Sequence, residues 1–392
     1  MTGSAGPLHP SVRRAIAAGE PPSVHSIDAL VGEQAGTLGD EGRAATARGM
    51  LDRLLGLGPL AQLASDSLVT DLLVNGDGAV WVDRGNGVER VMAEIPLEDL
   101  RPLAVRLAGV AGRRLDDAQP WVDGVLPGGV RLHAVLPPLA DGPHLSLRFA
   151  RHRPGGVASL ERLGTVTPQL ATLLRGLVAA RASLVVTGGT GAGKTTVLAA
   201  LVAECGVDER VVVVEDVREL DPAHPHVVRL QGRGSNVEGV GGVTLVDLVR
   251  QALRMRPDRL VVGEVRGGEV RELLAALNTG HEGGMSTVHA NGPEEVPARF
   301  EALGALAGMS RGGVHAQLRE ALHVVVHVVR RGAARRVDRV GVVVPDPREA
   351  GAVRVVVAAS SRPEGLVAGP GRDRLLQLVP SVAADCEWAV PC

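Results

Sequence analysis

The stretch Thr187 to Thr196, TGGTGAGKTT, limits what this chain can fold into more than any other feature. Gly188, four intervening residues and then Gly193-Lys194-Thr195 form the phosphate-binding loop pattern. The apolar run Ser183-Leu184-Val185-Val186 precedes it, and the helical run Val197 to Ala203 follows. A strand that ends in small residues and restarts as a helix turns successive backbone N–H groups inward. Gly188, Gly189, Thr190, Gly191, Ala192 and Gly193 can then cradle phosphate oxygens at the positive end of a helix dipole. The Lys194 ammonium reaches the outer phosphates, and the Thr195 hydroxyl, next to Thr196, is placed to ligate magnesium. With 51 Gly in 392 residues and a single lysine, chance supplies on the order of 0.002 such patterns per chain. Every other basic residue is arginine, whose guanidinium fork is too wide for this loop.

Thr167-Pro168 caps a helix running to about Arg181, directly before the loop. After the loop, apolar strands alternate with amphipathic helices. Strands are predicted at Arg210 to Val214, Leu260 to Val262 and Met285 to Val288, and helices at Leu245 to Met255 and Gly268 to Leu277. Repeated β–α units imply an α/β domain with a parallel sheet and helices on both faces. The carboxyl ends of such strands gather around one crevice, where ligands bind. Glu215 and Asp216 stand at the end of the second strand, Gly263-Glu264 at the end of the third and His289 after the fourth. Glu264 therefore takes the position of the second nucleotide-binding carboxylate, holding magnesium directly or through water. Glu215, Asp216 and Glu219 offer bases for an attacking water, and spacing does not choose among them.

His281-Glu282 resembles the start of a metalloprotease motif, but the next histidine is His289 instead of one four residues on. The one-face helical geometry for zinc fails. Gly280, Gly283 and Gly284 around His281 suggest close packing or a moving loop, with a γ-phosphate sensor as the functional reading.

Upstream, a helix is predicted over Arg43 to Leu63, stopping at Gly58-Pro59. A small antiparallel meander follows, with strands at Val69 to Val74, Ala79 to Asp83 and Val88 to Ala93. Then come a helix from Leu97 to Gly109 and strands at Val130 to Leu136 and His144 to Phe149, completing a smaller α+β domain. Alternation puts Arg148 on the polar face of its strand with His144 and Ser146, and Arg131 likewise opposes Val130, Leu132 and Ala134. Pattern alone reads both arginines as solvated; either could also reach a phosphate from outside the loop domain. The resulting division is a flexible lead at 1–42, with a short helix at Val12 to Ala18, an α+β domain at 43–150 and a linker at 151–166. The loop domain covers 167–345, and 346–392 carries one strand and a tail that matches nothing.

A formal net charge of −2 argues against a dominant nucleic-acid role, and Cys205, Cys386 and Cys392 make neither a disulfide framework nor a zinc module. Runs such as Val324 to Val329 are too short to span a bilayer, so a membrane role must pass through a partner.

MRPDR at 255–259, VVGEVRGGE at 261–269 and NTGHEGGMSTVHAN at 278–291 resemble the type II/type IV secretion ATPase superfamily. Its tight-adherence pilus assembly branch (TadA/CpaF) looks most similar. EDVREL at 215–220 resembles that family's acidic box, and GHEGGMSTVHAN its histidine box, with Glu282 where Asp is usual. VTDLLVNG at 69–76, LPGGVRLHAVLPPLADGP at 126–143 and LSLRF at 145–149 resemble its N-terminal domain. The resemblance implies a RecA-like P-loop ATPase domain preceded by a PAS-like α+β domain. It further implies a homohexamer, using ATP and Mg2+, on the cytoplasmic face of a membrane pilus or secretion platform. By position, Lys194 and Thr195 bind phosphate and magnesium, Glu264 is the Walker B glutamate with Arg266 beside it, and Glu219 or Glu215 activates water. His289 contacts the γ-phosphate region, and Arg131 and Arg148 match arginines that close over the nucleotide. Two alternatives stay open: a nucleic-acid translocase on the same core, and a nucleotide-binding scaffold without turnover.

Overall fold

The computed structural model describes residues 56–380, 388 and 389, apart from 67, 86, 128, 150–154, 234–239, 333, 363 and 364. The lead at 1–42, its helix at Val12 to Ala18 and the first part of the Arg43 to Leu63 helix lie outside the described residues. The chain divides into two units, Met1–Arg151 and His152–Cys392.

The first unit is a six-stranded antiparallel sheet. Its strands are β1 (Asp71–Val74), β2 (Ala79–Asp83), β3 (Val88–Glu94), β4 (Trp121–Leu126), β5 (Val130–Val135) and β6 (His144–Arg148), in the order β3-β2-β1-β6-β5-β4. Period-two alternation sends Leu72, Val74, Leu132, Ala134, Leu145 and Leu147 into one core with Leu100, Leu103 and Leu107 of α1 (Leu97–Val110). β4 was not foreseen from the sequence. Its Asp123 and Gly124 break the apolar pattern, yet Gly124 is required there, because a Cβ would stand 2.7 Å from Ala111 Cβ. At the predicted stop, Gly56 and Gly58 are left-handed, with φ 58° and 54°. A 3-10 turn at Gly58–Leu60 runs into a helical turn at Ala61–Ala64, since proline is tolerated where a first turn needs no N–H.

The second unit is built on a ten-stranded mixed sheet. Its parallel part comprises β7 (Leu184–Thr187), β8 (Val211–Glu215), β9 (Val227–Gln231), β10 (Arg259–Val262), β11 (Met285–Val288) and β12 (Val324–Arg331), ordered β12-β7-β11-β10-β8-β9. Both faces are covered, which is why β8 reads as four consecutive valines. Val211 and Val213 enter one core with α2 (Val157–Arg162), α3 (Pro168–Ala179) and α4 (Lys194–Val202). Val212 and Val214 enter the other with α5 (Leu245–Ala252), α6 (Glu269–Leu277), α7 (Val296–Leu306) and α8 (Arg311–Ala321). The fold is the α/β architecture expected from the loop and the β–α alternation, in the RecA-like form that the family resemblance implies.

Two boundaries differ from the sequence reading. Residues 157–162, expected in the linker, form α2, whose Val157 and Leu160 are fully buried in the second unit. Residues after 345, expected to add one strand, continue the sheet. β13 (Ala334–Pro345), β14 (Val353–Arg362) and β15 (Gly365–Ala368) pair antiparallel from β12 outward, α9 (Arg372–Leu378) packs below, and β16 (Trp388–Ala389) pairs parallel with β15. The first difference comes from reading Pro154-Gly155-Gly156 as linker where burial of the following residues overrides it.

At the amino edge of the parallel strands, Arg259 is 2% exposed. It donates to Glu209 Oε2 at 3.0 Å, Val178 O at 3.0 Å and Gly283 O at 3.3 Å. A buried guanidinium paired in this way ties three chain segments together. Among the described residues no helix is long and apolar enough to cross a membrane.

Candidate active site

β7 ends at the buried Thr187, and the chain turns through Gly188 to Gly193 before α4 starts at Lys194. A Cβ at Gly188 would lie 2.3 Å from Val328 O, and Gly188 has φ 152°. Only glycine fits between the loop and β12 there. Lys194 Nζ folds back over the loop and donates to Gly188 O at 3.0 Å and Gly189 O at 3.2 Å.

Burial pulls the Lys194 ammonium below the usual lysine range; Glu264 and Glu219 oppose that shift, and Arg266 adds to it. Four of the residues named from the sequence thus lie within one another's fields. Glu264 follows β10 through Gly263, whose N–H is held by Val214 O at 2.9 Å and whose carbonyl accepts from the Thr287 hydroxyl at 2.7 Å. The Glu264 carboxylate pairs with Arg266. His289, just past β11, places Nδ1 2.8 Å from Gly188 O, so the ring donates there and turns Nε2 away from the loop carbonyl.

Glu215 behaves differently from its sequence-level role as an alternative base. It is 5% exposed, its Oε1 accepts from the backbone N–H of Glu219 at 3.0 Å and of Leu220 at 2.9 Å, and it packs against Gly263. It shapes the acidic turn that presents Glu219. Burial pushes its carboxyl up from 4.5 to about 7. A raised carboxyl favours the neutral form in the folded chain, so its stabilising contribution is complete below pH 4.5 and is lost as pH rises through 7. The loss is about 3 kcal/mol at most. Melting temperatures at pH 5 and pH 8 should fall further apart for the wild type than for Glu215→Gln, and equal pH slopes would remove this assignment.

His281 does not join the site. It precedes β11, at the amino edge of the sheet, while the phosphate loop lies at the carboxyl edge; its Nδ1 sits 3.3 Å from Ala276 O. From that edge it does not reach a γ-phosphate on the loop. Gly283 and Gly284 serve close packing instead, since a Cβ on Gly283 would meet Arg259 Nη1 and one on Gly284 would meet Leu277, while Gly280 has open space around it and a left-handed φ of 93°.

Arg131 and Arg148 are direct cross-strand neighbours on β5 and β6, and Arg148 Nε donates to Asp71 Oδ1 at 2.8 Å. They belong to the first unit.

Sequence reasoning gave no role to Glu269. Its buried Oε1 accepts from the N–H groups of Arg266 at 2.5 Å and Gly267 at 2.8 Å, closing the turn that carries Glu264. The available signal was an acid in the first turn of a helix. His327 was also missed; its Nδ1 lies 2.9 Å from the hydroxyl of Thr187, both buried, beneath the loop.

Thr195 and Glu264 supply a hydroxyl and a carboxylate, hard oxygen donors suited to magnesium. Among the described residues no group of three or more His, Cys, Asp or Glu side chains could hold a metal ion. Magnesium held through one carboxylate and nucleotide phosphates needs no such group.

The family model described as type II/IV secretion system protein matches residues 53–363. The chain belongs to this family. A Mycobacterium tuberculosis protein named for conjugal transfer is 55% identical over 307 residues, 76% of this chain and 87% of its own length. The conjugal transfer protein TrbB of Rhizobium radiobacter is 33% identical over 280 residues, 70% of this chain and 84% of its own. The solved pilus retraction motor PilT with bound ADP aligns over 86% of this chain and 88% of its own, at TM-score 0.50 and 17% identity, a likeness of fold. Membership holds for the type II/IV secretion family as a whole; the tight-adherence branch is a finer assignment.

Proposed function

We propose that the chain is an ATP-hydrolysing motor of a type II/IV secretion or transfer apparatus. The observation that carries this is the convergence of Lys194, Glu264, Glu219 and Arg266 in one electrostatic field at the end of the parallel strands, with His289 on the loop. Loop N–H groups and Lys194 hold the phosphates, and Thr195 and Glu264 hold Mg2+, which supplies charge neutralisation on the outer phosphates. Glu219 orients the attacking water. His289 senses the γ-phosphate region, and Arg131 and Arg148 contact the nucleotide from the same or a neighbouring chain. Six copies form a ring at the cytoplasmic face of a membrane platform, and rigid-body rotation of domains converts hydrolysis into export.

The cargo reading retained first is pilin or secreted protein of the tight-adherence type. The relatives named for conjugal transfer favour a second, DNA transfer. Sedimentation velocity combined with phosphate release separates the possibilities. Specific activity should rise as the chain assembles in MgATP, and full activity in a monomer would remove the motor. Stimulation by duplex DNA at physiological salt would select the second cargo, while tight ATP binding without phosphate release would leave only a scaffold.

A further inference from the structure

The β12–β13 hairpin brings two arginines face to face beside the phosphate loop. Arg330 and Arg335 are directly opposed in register, so their side chains leave the same face of the hairpin. Both reach the loop. Arg335 Nε donates to Gly191 O at 3.2 Å, and its Cδ lies 3.1 Å from where a Gly193 Cβ would stand. Arg330 Nη1 lies 3.5 Å from the corresponding point on Gly191.

Like charges directly opposite one another across strands are destabilising. Two other arginines of the hairpin meet acids: Arg331 pairs with Asp338 at 3.2 Å, and Arg339 with Glu294 at 2.9 Å. Arg335 forms no ion pair among the described residues. Arg335 is half-buried against the loop with one N–H on Gly191 O, and its guanidinium has further N–H groups to offer an anion held there.

Sheet order says which part of the anion. β7, which leads into the loop, lies between β11 and β12. Glu264, Glu219 and His289 all come from β11, β10 and β8, on one side of β7; the hairpin comes from the other. A phosphate chain whose outer end faces Glu264 and His289 therefore runs its inner end toward the hairpin.

We propose that Arg335 and Arg330 grip the nucleoside-side phosphate of a bound nucleoside di- or triphosphate. This rests on the nucleotide-site reading above and adds two residues to it. They act on affinity from the strand side that the family motifs leave unoccupied.

The test is calorimetric titration of the full chain with MgADP and with magnesium pyrophosphate, which lacks the nucleoside-linked phosphate ester and can occupy the outer positions alone. Arg335→Gln should weaken ADP about tenfold, the worth of one charge-assisted hydrogen bond, and pyrophosphate by less than about twofold. Arg335→Lys should recover most of the loss, Arg330→Gln should show the same selectivity, and KM for ATP should rise more than kcat falls. Equal weakening of ADP and pyrophosphate would overturn the proposal, because a hairpin that only props the loop affects both alike. Unchanged ADP affinity would also overturn it while leaving the nucleotide site standing. A wild-type chain that binds neither ligand would remove the site and the grip together.

Discussion

Lys194→Ala should lower kcat for ATP hydrolysis by at least about 10³-fold while leaving the chain folded. The two consequences separate because of what the ammonium touches. Its bonds within the chain are to Gly188 O, which keeps its contact with His289 Nδ1 after truncation, and to Gly189 O of a part-buried residue, so the stability cost is about 1–2 kcal/mol. Its catalytic contribution is far larger, since a half-buried cation on the outer phosphates acts where little water screens it. No other lysine exists to substitute, and Arg335 approaches the loop from the opposite strand. Phosphate release under saturating MgATP and a thermal melt of the same sample check both halves. A variant that retains a tenth of wild-type turnover would contradict the role given to the loop.

The second large effect distinguishes two glutamates four residues apart. Glu219→Gln should reduce kcat by about 10²- to 10⁴-fold with ATP binding retained, as expected for loss of a general base. Glu215→Gln should cost less than about tenfold, since a glutamine oxygen can still accept the two backbone N–H bonds that shape the acidic turn. The basis is positional: the charge of Glu219 reaches Lys194 and Arg266, whereas Glu215 is buried behind Gly263. Single-turnover hydrolysis alongside binding of a fluorescent ATP analogue measures the two quantities separately. A larger kcat loss in Glu215→Gln would exchange the two assignments.

Much of the site was legible because its chemistry is written in contiguous residues. A phosphate cradle needs small residues, a lysine and a hydroxyl on one turn between strand and helix, so TGGTGAGKTT could be read without any knowledge of packing. The strand-end acids Glu215 and Glu264 and the strand-end His289 were legible for a related reason. Parallel strands buried on both faces appear as short valine-rich runs, and whatever follows each run stands at the carboxyl edge.

Other elements depended on burial or on sequence-distant partners. α2 sits behind Pro154-Gly155-Gly156, which reads as a linker until Val157 and Leu160 are seen buried. Gly124 makes β4 look like a turn until Ala111 is found against it. His281 and His289 share one motif, yet β11 runs between them and carries them to opposite edges of the sheet. Arg330 and Arg335 meet through hairpin register, and meet the loop because β12 pairs with β7. The residue types of a phosphate cradle and their order along the chain were present in the string of letters, because such a cradle is a local structure. Which of two glutamates faces the lysine, which of two histidines reaches the loop, and which of many arginines lie beside it were settled only by strand pairing, since those distances are made between residues far apart in the chain.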